Sequence, residues 1–186
     1  MKYLVLLVSV VGATTLIRLY VVAPFSIPSA SMETTLDVGD RILVDRLTYR
    51  LHPVRRFDVG VFDGTDTFGA LGAGRGETDY VKRVIGLPGD HVICCDAAHR
   101  ITVNGTPLVE GSFLHAGDRP SEVTFDVRVP VGRLWLMGDH RSDSLDSRAH
   151  LGDPGGGMVP VDKVVGKVQV IVWPLSRLGG LPDPTP

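Results

Sequence analysis

The sequence predicts a mainly β domain carried on a single apolar N-terminal segment. Three observations lead to that class. Residues 3–23 hold one charged residue, Arg18, in a stretch otherwise apolar or hydroxyl-bearing. Beyond Pro24 the apolar residues fall in short β-branched runs punctuated by glycine, and no helical period survives. The chain of 186 residues is 44% hydrophobic with 22 Gly and 13 Pro, which suits a loop-rich globular domain rather than a disordered one. Its formal net charge of −2 leaves no basic footprint for nucleic acid.

Taken in order, Tyr3–Ile17 alone is short of the ~20 residues that cross a bilayer, and Leu19–Ala23 supplies the rest. Arg18 can extend to the headgroups and Tyr20 suits the same interface. Lys2 and the amino terminus make the short flank positive, which places that end in the cytoplasm. Residues 1–23 are therefore expected to form a single-pass anchor in the plasma membrane, with residues 24–186 on its outer face. A cleaved secretory signal is the rival, with Ser29-Ala30-Ser31 as a small-residue cleavage site; the length of the apolar stretch favours the anchor.

Pro24 and Pro28 then hold the backbone extended. Strands are expected at Arg41–Arg46, Asp58–Phe62, Tyr80–Ile85, His91–Cys94, Arg100–Val103, Val123–Val129, Arg133–Met137 and Val164–Val172, with a tight hairpin turn at Asn104-Gly105. Phe62–Asp79, rich in glycine, reads as a long mobile loop, and Leu181–Pro186 as a frayed tail. The two cysteines, Cys94 and Cys95, are adjacent, so they cannot staple distant loops or frame a metal. Two buried small side chains are expected in preference to the small ring that neighbours can close.

Three stretches carry chemistry. Ser31 lies among small residues just outside the apolar segment, where another backbone can approach its hydroxyl. Such a nucleophile needs a base, and of six histidines His140, between Asp139 and Arg141, is the best placed for a Ser-His-Asp arrangement. Lys82 is the more interesting candidate. Strand alternation puts Tyr80, Lys82 and Val84 on one face; if Val84 faces inward, Lys82 is drawn inside and Arg83 points away. Burial lowers a lysine pKa, as a general base near neutral pH requires, whereas an edge-strand lysine would stay solvated. The third stretch, Gly138 to Arg148, mixes carboxylates, guanidiniums and hydroxyls, which suits Asp–Arg pairs that hold a loop. Calcium at Asp139, Asp143, Asp146 and Asp153 is a rival that the spacing and the nearby arginines oppose.

Order and spacing join these stretches. Ser29-Ala30-Ser31-Met32 outside an N-terminal anchor, then Tyr80-Val81-Lys82-Arg83 through Gly89-Asp90, then Gly138-Asp139-His140-Arg141 through Ser144 and Asp146-Ser147-Arg148, resembles bacterial type I signal peptidase, in a form like the Gram-positive and actinobacterial ones. The resemblance runs from about Leu16 to Leu178. It implies a signal-peptidase-type all-β domain with a small inserted β cap at 91–133, preceded by one transmembrane helix. It implies a Ser–Lys serine endopeptidase without metal or cofactor that cleaves signal peptides from secreted preproteins at the membrane lipid surface, as a monomer. Ser31 would attack, Lys82 would take its proton, and the Ser29 hydroxyl with the Ser31 N–H would form the oxyanion hole. Ser144 would hydrogen-bond Lys82, and Asp146 and Arg148 would be the supporting pair. Phe25, Ile27, Met32, Leu36, Tyr80 and Val81 would line shallow pockets for small residues. Three positions depart from the usual pattern: Thr34 for proline, Phe57 for the glycine of Arg-Gly-Asp, and His140 for asparagine. The first is expected to loosen the backbone after the nucleophile.

Overall fold

The computed structural model describes residues 2–3, 6–7, 9–12, 15, 21–65, 67–68 and 79–182. Two antiparallel sheets build the domain. The larger contains β1 (Val22–Ser26), β2 (Arg41–Asp45), β3 (Val59–Asp63), β4 (Asp79–Gly86), β9 (Arg133–Met137), β10 (Val159–Pro160), β11 (Val164–Trp173) and β12 (Gly179–Gly180). Its order is β1-β2-β11-β3-β4-β9-β10, with β12 on β11. The smaller, in the order β7-β6-β5-β8, is made of β5 (His91–Cys94), β6 (Thr102–Val103), β7 (Thr106–Pro107) and β8 (Phe125–Arg128). Every strand of the smaller sheet thus falls within the segment read as the inserted cap. The Asn104-Gly105 turn joins β6 to β7 with both residues at positive φ, 53° and 80°, as a tight hairpin demands.

β4 pairs with β3 along Asp79–Arg83 and with β9 from Arg83 to Gly86, and the Ser31 turn closes over Lys82, whose Nζ meets the Ser31 hydroxyl. That removes the solvated edge-strand alternative for Lys82, which is 4% exposed. Arg83 differs from expectation. It is 2% exposed rather than pointing away, because the other face of β4 is covered by Phe113 and the loop after β9.

Apolar side chains collect in three clusters. Ile85, Val92, Ile101, Trp135 and Met137 lie between the sheets. Ile27, Met32, Leu36, Ile42, Val44 and Val59 pack around the turn that follows β1. Phe62, Phe68, Val84, Leu134 and Val159 form the third. Each such burial stabilises by about 1.5–3 kcal/mol, which anchors the loops between clusters.

Several details depart from the sequence reading. β1 begins at Val22, inside the 1–23 segment assigned to the anchor, and pairs with β2 from Val22↔Asp45 to Ser26↔Arg41. A short helix α1 (Thr48–Leu51) appears where none was expected; Asp45 accepts the N–H groups of Leu47 at 2.7 Å and Thr48 at 3.1 Å. Cys94 and Cys95 are joined in a disulfide rather than standing as two thiols. Most of the glycine-rich loop, 66 and 69–78, and the end of the tail, 183–186, lie outside the described residues. So do 16–20 of the expected anchor. Among the described residues no helix is long and apolar enough to cross a membrane.

Candidate active site

Ser31 sits in a 3₁₀ turn, Ala30–Met32, where the extended backbone of Ser29 (φ −128°, ψ 157°) gives way to a bend. Met32, 1% exposed, plugs that turn into the core. Thr34 follows at φ 85°, a value proline cannot adopt, and the Thr35 N–H donates to the Met32 carbonyl at 3.1 Å. The turn is further closed by the Leu36 N–H on the same oxygen at 2.8 Å. The backbone after Ser31 is therefore held, not loosened.

Across from the turn, the Lys82 Nζ donates to Ser31 Oγ at 2.6 Å. No histidine fills that place: His140 stacks on His115 instead, with ring centroids 3.9 Å apart. Burial, only partly offset by the Asp146 and Asp139 carboxylates, pushes the Lys82 pKa from 10.5 down to about 8. Ser29 Oγ lies 3.4 Å from Ser31 Oγ on the exposed side.

The loop after β9 walls the site. Asp146 accepts two hydrogen bonds from the Arg148 guanidinium, at 2.9 and 2.8 Å, one from the Arg148 N–H at 3.1 Å and one from the Gly138 N–H at 2.9 Å. Burial raises the Asp146 pKa, but these donors outweigh it and hold the carboxyl below its usual range. Arg148 also donates to the Arg141 carbonyl at 2.9 Å, and Arg141 forms a buried pair with Glu110. Ser144 Oγ is buried near this frame and is not hydrogen-bonded to Lys82. Of the carboxylates weighed for calcium, Asp139 is paired with Arg83 and Asp146 with Arg148.

Sequence reasoning missed a second frame. Arg83 donates to Asp139 through Nε at 2.7 Å and Nη2 at 2.6 Å, and to Thr35 Oγ1 at 3.0 Å; Thr35 itself donates to Asp139. The Arg83 guanidinium lies 4.2 Å from the Phe113 ring centroid. One ion pair thus ties the nucleophile turn, the lysine strand and the β9 loop together. The signal in the sequence was Arg83 beside Lys82 and Asp139 at the end of an apolar strand, but nothing local paired them.

Of the six residues expected to line pockets, Ile27, Met32 and Leu36 are 3%, 1% and 0% exposed. They form the buried floor rather than an open wall. Phe25 and Val81 pack partly buried against the same cluster. Tyr80 instead joins the Phe62 cluster, its ring 5.6 Å from that of Phe68.

Gly138 sets the closest approach in the site. A Cβ there would collide with the Ser31 carbonyl oxygen and with Ser144 Oγ. Gly138→Ala is expected to destabilise by about 1–3 kcal/mol and, by displacing the serine, to lower turnover ~10²-fold, as melting and steady-state kinetics would show.

The model of one protein family, described as "Signal peptidase, peptidase S26", matches residues 1–173. A probable signal peptidase I of Mycobacterium leprae is 35% identical over 228 residues, covering 97% of this chain and 78% of the relative. Signal peptidase I of Mycobacterium tuberculosis is 37% identical, covering 86% and 68%, and that of Bacillus caldolyticus 35%, covering 87% and 85%. With a serine and a lysine in contact at its centre, the chain belongs to the signal peptidase family, peptidase S26, a family of serine peptidases.

Proposed function

We propose that this protein is a membrane-anchored endopeptidase that removes signal peptides from exported preproteins, with Ser31 as nucleophile and Lys82 as general base. The observation that carries this reading is the 2.6 Å contact between a buried serine hydroxyl and a buried lysine whose pKa is pushed down to about 8. A neutral amine at that separation accepts the Ser31 proton as the oxygen attacks the scissile carbonyl. The resulting ammonium then gives the proton to the leaving amine, and a water activated by the same lysine hydrolyses the acyl-serine. The Ser29 hydroxyl and the Ser31 N–H would hold the oxyanion; one such donor is worth ~10²–10³-fold in rate. Asp146 and Arg148 brace the loop behind Lys82, and Ser144 Oγ is available to orient the amine once substrate closes the site.

The substrate side is consistent with an extended peptide. β1 ends the sheet order, so a strand can add beside it. Phe25, Ile27, Met32, Leu36 and Val81, packed in one cluster, would give that edge an apolar base suited to small residues before the cut. Incubation with a synthetic signal peptide tests the reading. Ser31→Ala and Lys82→Ala should each abolish cleavage in folded protein, His140→Ala should not, and a serine-directed acylating inhibitor should label Ser31. Cleavage at the wild-type rate by either of the first two variants would refute it.

Attachment to the outer face of the plasma membrane is part of the proposal. Leu6, Leu7, Val10 and Val11 are more than half exposed, which fits a lipid surrounding. The sheet register sets Trp173 opposite Arg41, and Arg41 opposite Ser26, so this exposed tryptophan lies at the end of the sheet that leads to Ser31. Trp173, Leu175 and Leu178 are 52%, 69% and 60% exposed. Trp135, the other tryptophan, is fully buried, so lipid-sensitive emission reports Trp173. Adding phospholipid vesicles is expected to shift that emission to the blue; an unchanged spectrum would place this tip away from the bilayer.

A further inference from the structure

We propose that Glu33, His115 and His140 form a binding site for a zinc-class divalent transition-metal ion beside the nucleophile turn. One ligand atom from each residue lies within 4.8 Å of the others. The His140 Nδ1 and Glu33 Oε2 are 3.5 Å apart, too long for a hydrogen bond. Two ligands on a tetrahedral zinc, each about 2.0–2.1 Å from it, stand ~3.3 Å apart, so this pair is already at ligating separation. The Nδ1 atoms of His115 and His140 are both buried and both without a hydrogen-bond partner. A buried ring nitrogen left unpaired is unfavourable, and a cation between the rings and the carboxylate satisfies it.

The three backbones are fixed before any metal arrives. The Glu33 N–H donates to the Ala30 carbonyl at 2.9 Å, the His140 N–H to the Ser31 carbonyl at 3.2 Å, and the His115 N–H to the Asp139 carbonyl at 3.0 Å. Binding requires only that the stacked imidazoles rotate so that their lone pairs converge. Two imidazoles and one carboxylate suit zinc with a fourth position open, whereas magnesium and calcium prefer all-oxygen shells. The ion would clamp the turn that carries Ser31 to both the cap segment and the β9 loop. This site stands apart from the Ser31–Lys82 chemistry, and its test needs no peptidase activity.

The experiment titrates the full chain in detergent micelles with zinc against a chromogenic chelator, with magnesium as control. Wild type is expected to take up one zinc, and to melt about 5–10 °C higher when free zinc is a hundredfold above its Kd. His115→Ala, His140→Asn and Glu33→Gln should each weaken binding at least about tenfold, while His91→Ala, outside the cluster, should not. If a histidine variant fails to fold, Glu33→Gln, on a partly exposed side chain, carries the comparison. Absence of saturable zinc binding in wild type, or binding of full strength in the cluster variants, overturns the proposal.

Discussion

Replacing Lys82 with methionine is expected to abolish peptide cleavage, by at least ~10³-fold, while making the folded protein more stable at pH 7. The loss of rate follows from removing the group within proton-transfer distance of Ser31 Oγ, and general base catalysis typically contributes ~10²–10⁴-fold. The gain in stability follows from the cause of the lysine's shift. Burial lowers its pKa to about 8 in the folded chain, against 10.5 for the free side chain. Between those values the unfolded chain binds more protons than the folded one, so stability rises as pH climbs from 8 towards 10.5. Below 8 both forms are protonated, and the folded state bears the full penalty of a buried ammonium, about 3 kcal/mol. Methionine removes that penalty and keeps an apolar stem of similar length. Its melting temperature should exceed that of wild type by roughly 5–10 °C at pH 7, with the gap closing near pH 10. The same pKa sets the rate profile. For wild type, kcat/KM should climb about tenfold per unit below pH 8 and level off above it. A flat profile from pH 6 to 9, or a methionine variant less stable than wild type, would show that Lys82 is not the poised base.

Legibility in the sequence followed the range of the interactions. Lys82 could be weighed for the interior because alternation along one strand ties it to Val84, and the hairpin at Asn104-Gly105 was legible because two residues carry the whole turn. Ser31 stood out because prolines and small residues surround it in sequence. Arg83 could not be read, because its burial depends on Phe113 and Asp139 from two other segments covering the second face of β4. The same holds for Met32 and Leu36, whose burial depends on the cluster that Ile42 and Val59 bring from other strands. Phe57 illustrates a different limit. It occupies φ 70°, a region glycine favours, yet its ring packs against Phe113 and its carbonyl accepts Arg83 Nη1 at 2.8 Å. The unusual side chain there is compensated by contacts from β4 and the cap, both remote in sequence.

That covered ion pair is where the second large effect is expected: Asp139→Ala should lower stability by about 3–5 kcal/mol, a fall in melting temperature of ~10 °C or more. Asp139 is fully buried and accepts both forks of a guanidinium that is itself 2% exposed. Its removal leaves Arg83 charged and out of water, with the Phe57 carbonyl and Thr35 Oγ1 as its hydrogen-bond acceptors and the Phe113 ring beneath it. Thr35 also loses the acceptor that ties the nucleophile turn to the β9 loop, so turnover should fall together with stability. An exposed pair provides the contrast. Arg119 and Glu122 meet at 3.7 Å with side chains 71% and 67% exposed, and Glu122→Ala should leave melting unchanged. The double variant Arg83→Met with Asp139→Leu separates the two roles of the buried pair. With no unpaired charge left inside, it should regain most of the lost stability. Its turnover should remain low, because apolar packing can fill the space but cannot accept the Thr35 hydroxyl. Recovery of both would mean that the pair serves packing alone; recovery of stability without activity would identify it as the brace that aligns Ser31 with Lys82.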